Sequence, residues 1–419
     1  MIKTEFSRNI IVSLILISFL FSCSQNPYVY EPPQEQYVIM LSMDGCRWDY
    51  PQMADMPNLE SIARKGVKLE SLQPSFPSKT FPNHYSLATG LYPDHHGIVQ
   101  NTFYDPDMDA YYQLSDRDAV ENGDFYSGEP IWVTAEKQGM RTASYYWVGS
   151  EAPVQGVQPH TWKPYEHNFP FESRIDSVIS WLKKPKAQRP RLITWYFHEP
   201  DGVGHHFGPE SDEVRVKMEY LDSLLGVFLS EVSKLPHADQ INVIVTADHG
   251  MARVSGDKYI NLDDYIQASW LDTSLGSNPV WMFDPKPEFV DSVYLGLKQA
   301  EHLQVWMRDS IPANLHYGTN PRVMEIVATP ELHWSAGWGE VTDPYSVGGT
   351  HGYDPHYKDM HAIFYAMGPA FKKGYVHPTV ENVNIYPLLA EILGLKPAPT
   401  DGKLENVSRM LKPNMLTDD

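Results

Sequence analysis

Three aspartates in the sequence each lie at or just after the end of an apolar run and have a glycine close behind. They are Asp44, Asp201 and Asp248. Three histidines accompany them: His205, His249 and His351, the last within a glycine-rich loop. Ligands of open α/β sheets bind beyond the carboxyl ends of the strands, so the three aspartates are expected to converge. Carboxylates and imidazoles without a set of thiolates favour zinc or a similar first-row divalent ion.

A hydroxyl that could act as a nucleophile lies in the segment Ser-Lys-Thr-Phe-Pro-Asn-His. Pro82 near the start of a predicted helix at 83–89 places Thr80 at or beside its N-terminus. The positive end of the helix dipole and a neighbouring metal ion would both favour the alkoxide of Thr80. Taken alone, Thr80 is better explained as a residue that merely caps the helix.

The elements that must position these residues alternate between strands and helices. Near-continuous apolar runs at 37–43, 191–197 and 241–247 are typical of strands buried on both faces of a sheet. Helical spacing predicts amphipathic helices, at 57–65, 172–184, 214–235 and 385–393. The alternation predicts an α/β fold, with a doubly wound, mainly parallel sheet and flanking helices. Residues from about 255 to 345 break the rhythm and are expected to form an inserted α+β capping subdomain.

The N-terminal residues have the pattern of an export signal. Basic residues precede an apolar stretch at 10–21, which predicts a signal peptide at 1–22 and a lipoprotein tether at 23–36 that carries a lipid on Cys23. Plain signal-peptidase cleavage is the alternative. We expect a bacterial protein in the periplasm or on the outer-membrane surface, anchored by lipid rather than by a spanning helix. A catalytic domain at 37–400 and a C-terminal tail at 401–419 complete the predicted organisation.

The composition limits the partners of the chain. Its 419 residues include 33 Lys and Arg and 53 Asp and Glu, which gives a net charge of −20. This acidity argues against long nucleic acids and anionic membrane surfaces, which carry arrays of phosphate charge. A small anionic ligand remains compatible with a metal site, because bound cations would reverse the sign of the charge that three aspartates give it. The sequence does not indicate the oligomeric state.

Five motifs occur in the same order as in a known family. They are Ser-Met-Asp-Gly at Asp44, Lys-Thr-Phe-Pro-Asn-His at Thr80, Glu-Pro-Asp-Gly-Val-Gly-His at Asp201, Thr-Ala-Asp-His-Gly at Asp248 and Gly-Thr-His-Gly-Tyr at His351. From about residue 37 to 395 the chain resembles the type I phosphodiesterase/nucleotide pyrophosphatase family of the alkaline phosphatase superfamily.

The resemblance implies a two-zinc site and a threonine nucleophile. One zinc would be held by Asp201, His205 and His351, and the other by Asp44, Thr80, Asp248 and His249. Thr80 would form a threonyl-phosphate intermediate, and Asn101 would donate a hydrogen bond to a non-bridging phosphate oxygen. Phe81 and Tyr165 match the positions that stack a nucleotide base, and Lys79 is the nearby basic residue, a candidate substrate contact. The remaining histidines are expected to be structural or to support the ligands: His84, His95, His96, His198, His206 and His361.

The implied activity is zinc-dependent cleavage of phosphodiester or pyrophosphate bonds in nucleotides, with release of nucleoside 5'-monophosphates. Three alternatives remain at this stage. The first is a phosphodiesterase for glycerophospho- or lysophospho-choline substrates, and the second is a phosphomonoesterase or phosphonate hydrolase on the same scaffold. The third is a surface lipoprotein that binds nucleotides or glycans without catalysis.

Overall fold

The apolar runs form the middle strands of a large sheet. The computed structural model describes residues 35–341 and 347–415. Within these residues the strands are β1 (Tyr37–Met43), β2 (Val67–Leu69), β3 (Leu72–Gln73), β4 (Thr102–Asp105), β5 (Ala110–Gln113), β6 (Thr142–Tyr145), β7 (Thr161–Lys163), β8 (Leu192–Phe197), β9 (Ile241–Thr246), β10 (Ala252–Ser255), β11 (Tyr259–Asn261), β12 (Leu271–Ser277), β13 (Val280–Pro285), β14 (Leu303–Met307), β15 (Ile326–Pro330), β16 (Ser335–Gly337), β17 (Val347–Thr350), β18 (Phe364–Met367), β19 (Tyr375–His377) and β20 (Val380–Glu381).

The helices lie between these strands along the chain. They are α1 (Tyr50–Met53), α2 (Pro57–Lys65), α3 (Thr80–Thr89), α4 (Pro93–His96), α5 (Arg117–Val120), α6 (Ile131–Lys137), α7 (Phe171–Leu182), α8 (Asp201–Phe207), α9 (Asp212–Ser233), α10 (Val290–Leu297) and α11 (Ile385–Leu393). Helix α9 begins where the Ser211 hydroxyl accepts a hydrogen bond from the amide of Val214, which is a typical N-cap.

Eight strands form the main sheet, in the order β19-β2-β18-β9-β1-β8-β6-β7. All are parallel except β18, which runs antiparallel to β9 and β2. Every residue of β1, β8 and β9 is buried, as their continuous apolar sequences predict. The predicted α/β fold with a mainly parallel sheet is therefore confirmed. We call the edge where the parallel strands begin the amino edge and the edge where they end the carboxyl edge.

The helix that carries Thr80 begins earlier than predicted. Helix α3 starts at Thr80 rather than at residue 83, so Pro82 lies within its first turn. The predicted start at residue 83 was wrong, because Pro82 itself takes part in the first turn. The first four amides of a helix have no partner within it, so proline loses no hydrogen bond there.

A second, smaller sheet lies in the region predicted as an insertion. Strands β12, β13, β15 and β14 pair antiparallel in that order. Phe283, Val305 and Ile326 belong to a core that is separate from that of the main sheet. The subdomain bounds at 255–345 stay a prediction.

Other expectations concern the ends of the chain. The predicted signal peptide, Cys23 and nearly all of the tether lie outside the described residues. In the described residues, no helix combines the length and apolar character needed to cross a membrane.

Candidate active site

The carboxyl edge of the main sheet brings the three aspartates together. Asp44 follows β1, Asp248 follows β9 soon after its last residue, and Asp201 begins α8 just beyond β8. Because β9, β1 and β8 are adjacent and parallel, their ends lie side by side. The amide of Gly45 donates to Asp248 Oδ1 at 3.2 Å, which ties the ends of two strands directly to each other.

The histidines face the same carboxylates. The Nε2 atoms of His205 and His351 lie 3.4 and 3.5 Å from Asp201 Oδ1. The Nε2 atom of His249 lies 3.4 Å from Asp44 Oδ1 and 3.0 Å from Asp248 Oδ2. His205 reaches this position because it lies one helical turn after Asp201 on α8.

Each of these three histidines uses its other ring nitrogen on the backbone. The Nδ1–H groups of His205, His249 and His351 donate to the carbonyls of Gly349, Gly250 and Ser78, each at 2.8 Å. This arrangement fixes the tautomer with a lone pair on Nε2, as in most metal-binding histidines.

The carboxylates leave buried oxygens without a donor. Asp44 Oδ1, Asp201 Oδ1 and Asp248 Oδ2 are buried, and no hydrogen bond satisfies them in the described part of the chain. Buried polar atoms normally have a partner. Here the lone pairs on Nε2 of His205 and His351 instead face Asp201 Oδ1. A cation relieves both problems, so the residues fit divalent metal ions. Three groups place their ligand atoms within 4.8 Å of one another: Asp201, His205 and His351; Asp44, Asp201 and His249; and Asp44, His84 and Asp248.

The charges of the site shift the pKa values of its carboxyls in opposite directions. Burial raises the pKa of the Asp44 carboxyl well above its usual range, and the charges of Asp248 and Asp201 raise it further. Burial also opposes the charged form of Asp248, but His249 and His84 outweigh it and hold the pKa of that carboxyl well below its usual range. The protein alone therefore does not stabilise three adjacent charged aspartates.

Thr80 lies at the start of α3 and beside this cluster. Its hydroxyl is 3.2 Å from Nε2 of His249. One turn later on the helix, His84 donates from Nδ1 to the carbonyl of Thr80 at 3.0 Å and lies 3.2 Å from Asp248 Oδ2. His84 thus connects the helix of Thr80 to a carboxylate of the cluster.

A cavity of about 380 Å³ opens beside Thr80. Phe81, Asn101 and Tyr165 line it together with Asp44, Asp201, His205 and His351. Asn101 Oδ1 accepts the amide hydrogen of Phe81 at 3.0 Å, and its Nδ2 has no hydrogen-bond partner in the described residues. The Tyr165 ring packs edge-on against Tyr146 at 5.1 Å. The structure therefore brings these three residues to one cavity next to the cluster.

Lys79 lies apart from the cavity lining. Its ammonium donates to the carbonyl of Asn278, at 2.7 Å, in the turn between β12 and β13, and the residue is 3% exposed. Burial lowers the pKa of Lys79 to about 7. Contact with substrate stays a prediction for Lys79. In this structure its side chain connects the segment of Thr80 to the second sheet through this hydrogen bond.

Two features of the site could not be inferred from the motifs. Tyr196 on β8 donates its hydroxyl to Asp44 Oδ2 at 2.5 Å. Glu151 accepts the amide hydrogen of Tyr165 at 3.0 Å and forms an ion pair with Arg117. The only signal for Tyr196 was its place near the end of a predicted strand, and Glu151 belongs to a segment with no chemical motif.

Comparisons with known proteins agree with this arrangement. The family model described as type I phosphodiesterase/nucleotide pyrophosphatase matches residues 38–354. Ectonucleotide pyrophosphatase/phosphodiesterase family member 3 of Rattus norvegicus is 35% identical over 401 residues, which cover 93% of this chain and 45% of that protein. Family member 1 of Homo sapiens is 32% identical over 94% of this chain and 43% of its own length. Venom phosphodiesterase 2 of Crotalus adamanteus is 34% identical over 90% of this chain and 48% of its own length.

The chain thus spans about half the length of these curated relatives. Among solved structures, an inactive variant of murine ectonucleotide pyrophosphatase/phosphodiesterase 5 in complex with AMP superimposes with a TM-score of 0.86 and 32% identity. The match covers 90% of this chain and 100% of that one. The chain belongs to the type I phosphodiesterase/nucleotide pyrophosphatase family and, through it, to the alkaline phosphatase superfamily.

Proposed function

We propose that the chain hydrolyses phosphodiester or pyrophosphate bonds of nucleotides and releases nucleoside 5'-monophosphates. The observation that carries the proposal is the hydroxyl of Thr80. It lies at a helix N-terminus, 3.2 Å from His249, between the carboxylate cluster and a cavity lined by aromatic rings. The names of the relatives and the AMP complex of the murine protein support the same activity.

The residues divide between two zinc ions as the family resemblance implies. Asp201, His205 and His351 would hold one ion, and Asp44, Thr80, Asp248 and His249 would hold the other. When bound, the two ions would supply the positive charge that lowers the pKa of the Thr80 hydroxyl and neutralises charge on the reacting phosphate. The grouped ligand atoms of Asp201, His205 and His351 support the first site. For the second site, the unsatisfied oxygens of Asp44 and Asp248 support a bound cation, and the proposed set rests on the family resemblance.

Thr80 would attack phosphorus from the side opposite the leaving oxygen. The bond from Thr80 Oγ1 to phosphorus forms while the bond to the leaving group breaks, and the nucleotidyl group is then carried by Thr80. A water molecule attacks the same phosphorus, the 5'-monophosphate leaves, and Thr80 recovers its proton. Asn101, with Nδ2 available, would donate to a non-bridging oxygen during both steps.

Aromatic side chains favour a substrate with a base. Phe81 and Tyr165 line the cavity and would stack a base between them, a contact that contributes about 1–3 kcal/mol and tolerates different bases. Among the described cavity-lining residues, Arg117 contributes the only guanidinium, and Glu151 already neutralises it. A diester with one negative charge is therefore favoured over a phosphate monoester. Faster hydrolysis of glycerophosphocholine or nitrophenyl phosphate than of a nucleoside triphosphate would contradict this assignment.

Substitution of the nucleophile tests the proposal. Thr80→Ala removes the attacking oxygen, so we expect kcat to fall by at least about a thousandfold while most of the zinc content survives. Thr89→Ala is the matched control, because Thr89 ends the same helix and its hydroxyl bonds only backbone groups there: it donates to the carbonyl of Tyr85 and accepts from the amide of Leu91. Thr89→Ala should keep its activity. Turnover by Thr80→Ala at the wild-type rate would refute the role of Thr80.

We further propose that the chain is exported and held by lipid on Cys23. The motif around Cys23 supports this proposal, and two of the relatives are named as ectoenzymes. Cells supplied with labelled fatty acid should label the wild type and leave Cys23→Ser without label. Equal labelling, or none in the wild type, would contradict the anchor.

A further inference from the structure

Basic residues collect at the amino edge of the main sheet, opposite the active site. The segments that lead into its strands at this edge are 35–36, 64–66, 137–141, 183–191, 234–240 and 370–374. Together they carry 12 Lys and Arg residues and two acidic residues, Glu35 and Asp239. The rest of the chain carries 21 Lys and Arg against 51 Asp and Glu. We call these six segments the basic edge.

Some of these basic residues lie at the C-terminal ends of helices, where they interact favourably with the helix dipole, but this explains only part of the positive charge. Arg64 and Lys65 lie in the last turn of α2, and Lys183 and Lys234 directly follow α7 and α9. Of the other eight basic residues of the basic edge, only Lys137 lies at the C-terminal end of an α-helix, α6. The segment 183–191 alone has five basic residues and no acidic one.

The lysines of this segment reach into solvent. The side chains of Lys183 and Lys186 are 58% and 73% exposed. Their ion pairs with Glu231 and Glu35, at 3.7 and 2.6 Å, are surface pairs of small energy. These ammonium groups can therefore exchange such partners for anionic groups outside the protein.

The chain also enters the fold at the basic edge. Glu35 lies within ion-pair distance of Lys186, and Arg191 donates to the carbonyl of Gln36 at 3.1 Å, just before β1. Glu35 follows Cys23 by 12 positions, and this stretch spans at most about 40 Å when fully extended. A lipid on Cys23 would therefore keep the basic edge within that distance of the bilayer.

We propose that the basic edge rests on a bilayer surface that carries anionic phospholipid, so that the active site at the carboxyl edge faces the solution. The inference rests on the proposed anchor, which supplies proximity, while the basic edge supplies orientation. A charge of −20 disfavours a membrane surface only if it is spread evenly. At physiological salt, charges are screened beyond about 8 Å, so the side of the molecule nearest the lipid decides the interaction.

Flotation with vesicles tests the proposal without use of catalytic activity. Every protein in the experiment is the full chain with Cys23→Ser, so that none of them carries a lipid. Vesicles are phosphatidylcholine alone or phosphatidylcholine with roughly one quarter phosphatidylglycerol. The variant replaces Lys183, Lys184 and Lys186 with Gln. The matched control replaces Lys258, Lys286 and Lys298, which follow β9 in the chain and lie outside the basic edge.

We expect the parent and the control to prefer the anionic vesicles and to lose this preference as salt rises from roughly 0.05 to 0.5 M. Each lysine near an anionic surface contributes about fivefold in binding, so the triple variant should lose roughly a hundredfold. Equal binding of the variant and the parent would overturn the proposal. So would lysine-dependent binding of an oligonucleotide by a chain that does not prefer anionic vesicles. Nucleotide hydrolysis by the same preparations, and fatty-acid labelling of the chain with Cys23 intact, separate these outcomes from failure of the proposed activity or anchor.

Discussion

Single atoms of the histidines and aspartates show why the cluster requires a cation. The Nδ1–H groups of His205 and His351 are used by backbone carbonyls, so each Nε2 faces Asp201 Oδ1 without a proton between them. Such pairs of acceptors repel each other. Metal ions that bind both atoms would convert the repulsion into coordination bonds.

The charge on Asp44 should therefore destabilise the protein when metal is absent. Burial and the nearby Asp248 and Asp201 raise the pKa of Asp44, so its charged form is disfavoured in the folded state. Asp44→Asn removes that charge at nearly constant volume. With a chelator present, we expect the variant to unfold at a higher temperature than the wild type. With excess zinc the order should reverse, because only the wild type keeps its full set of ligands.

Asp94→Asn is the control for this experiment. Asp94 is buried and accepts hydrogen bonds from the amides of Gly318 and Thr319, at 3.0 and 2.6 Å. Replacing one of its acceptor oxygens by an amide nitrogen should cost about 1–3 kcal/mol whether or not metal is present. A chelator-treated Asp44→Asn that melts below the wild type would show that the charge is not the source of instability.

Turns at the ends of strands position the cluster, and Gly45 shows how closely they approach. Gly45 has φ of 68°, and a Cβ at this position would lie 2.9 Å from Asp201. Gly45→Ala should therefore displace Asp201 and weaken binding of the metal. Gly139→Ala is a matched control, because Gly139 has φ of 81° and no atom within 4 Å of such a Cβ.

Both alanine variants carry the strain of a left-handed backbone, about 1 kcal/mol. Only Gly45→Ala should also lose zinc affinity and kcat, as measured by metal titration and steady-state kinetics. Similar zinc affinity in the two variants would contradict the role of this close approach.

Local sequence predicted the elements better than the contacts between them. The ends of β1, β8 and β9 could be predicted, because each continuous apolar run stops at or shortly before an Asp and a Gly, and that stop marks the end of the strand. The start of α3 was misplaced by three residues, since Pro82 is compatible with a first turn. The hydrogen bond from Lys79 to Asn278 spans 199 positions in the chain, so no local pattern could reveal it.

The connection between α3 and α4 should depend on pH. His96 lies 3.0 Å from the Ser86 hydroxyl and 3.1 Å from the Pro82 carbonyl, and its Nδ1 accepts the amide hydrogen of Ile98. Burial lowers the pKa of His96 to about 3. Between that value and about 6.5 the unfolded chain holds a proton that the folded state lacks, so stability falls as the pH falls.

His96→Gln removes the contribution of this one histidine to the pH dependence of stability. The wild type should exceed the variant in free energy of unfolding at pH 7. Below about pH 6.5 that advantage should shrink by about 1.4 kcal/mol per pH unit. Chemical denaturation at two pH values checks the prediction. An advantage that is unchanged at the lower pH would contradict a neutral, buried His96.

At the scale of the whole molecule, the two edges of the main sheet differ in charge and function. The carboxyl edge gathers Asp44, Asp201 and Asp248, whereas the six segments of the basic edge carry 12 basic residues and two acidic ones. The net charge of −20 conceals this division, because it averages over both edges. Only the topology, which places residues distant in sequence at one edge, reveals it.

We propose that Thr80 carries the nucleotidyl group between two displacements, and the stereochemistry at phosphorus reports how many displacements occur. Each in-line displacement inverts the configuration, so two of them retain it. The measurement is hydrolysis of a chiral phosphorothioate ester of a nucleoside in heavy-oxygen water, followed by determination of the configuration of the product. The proposed mechanism predicts net retention. Net inversion would mean that water attacks the substrate directly and would contradict the role of Thr80.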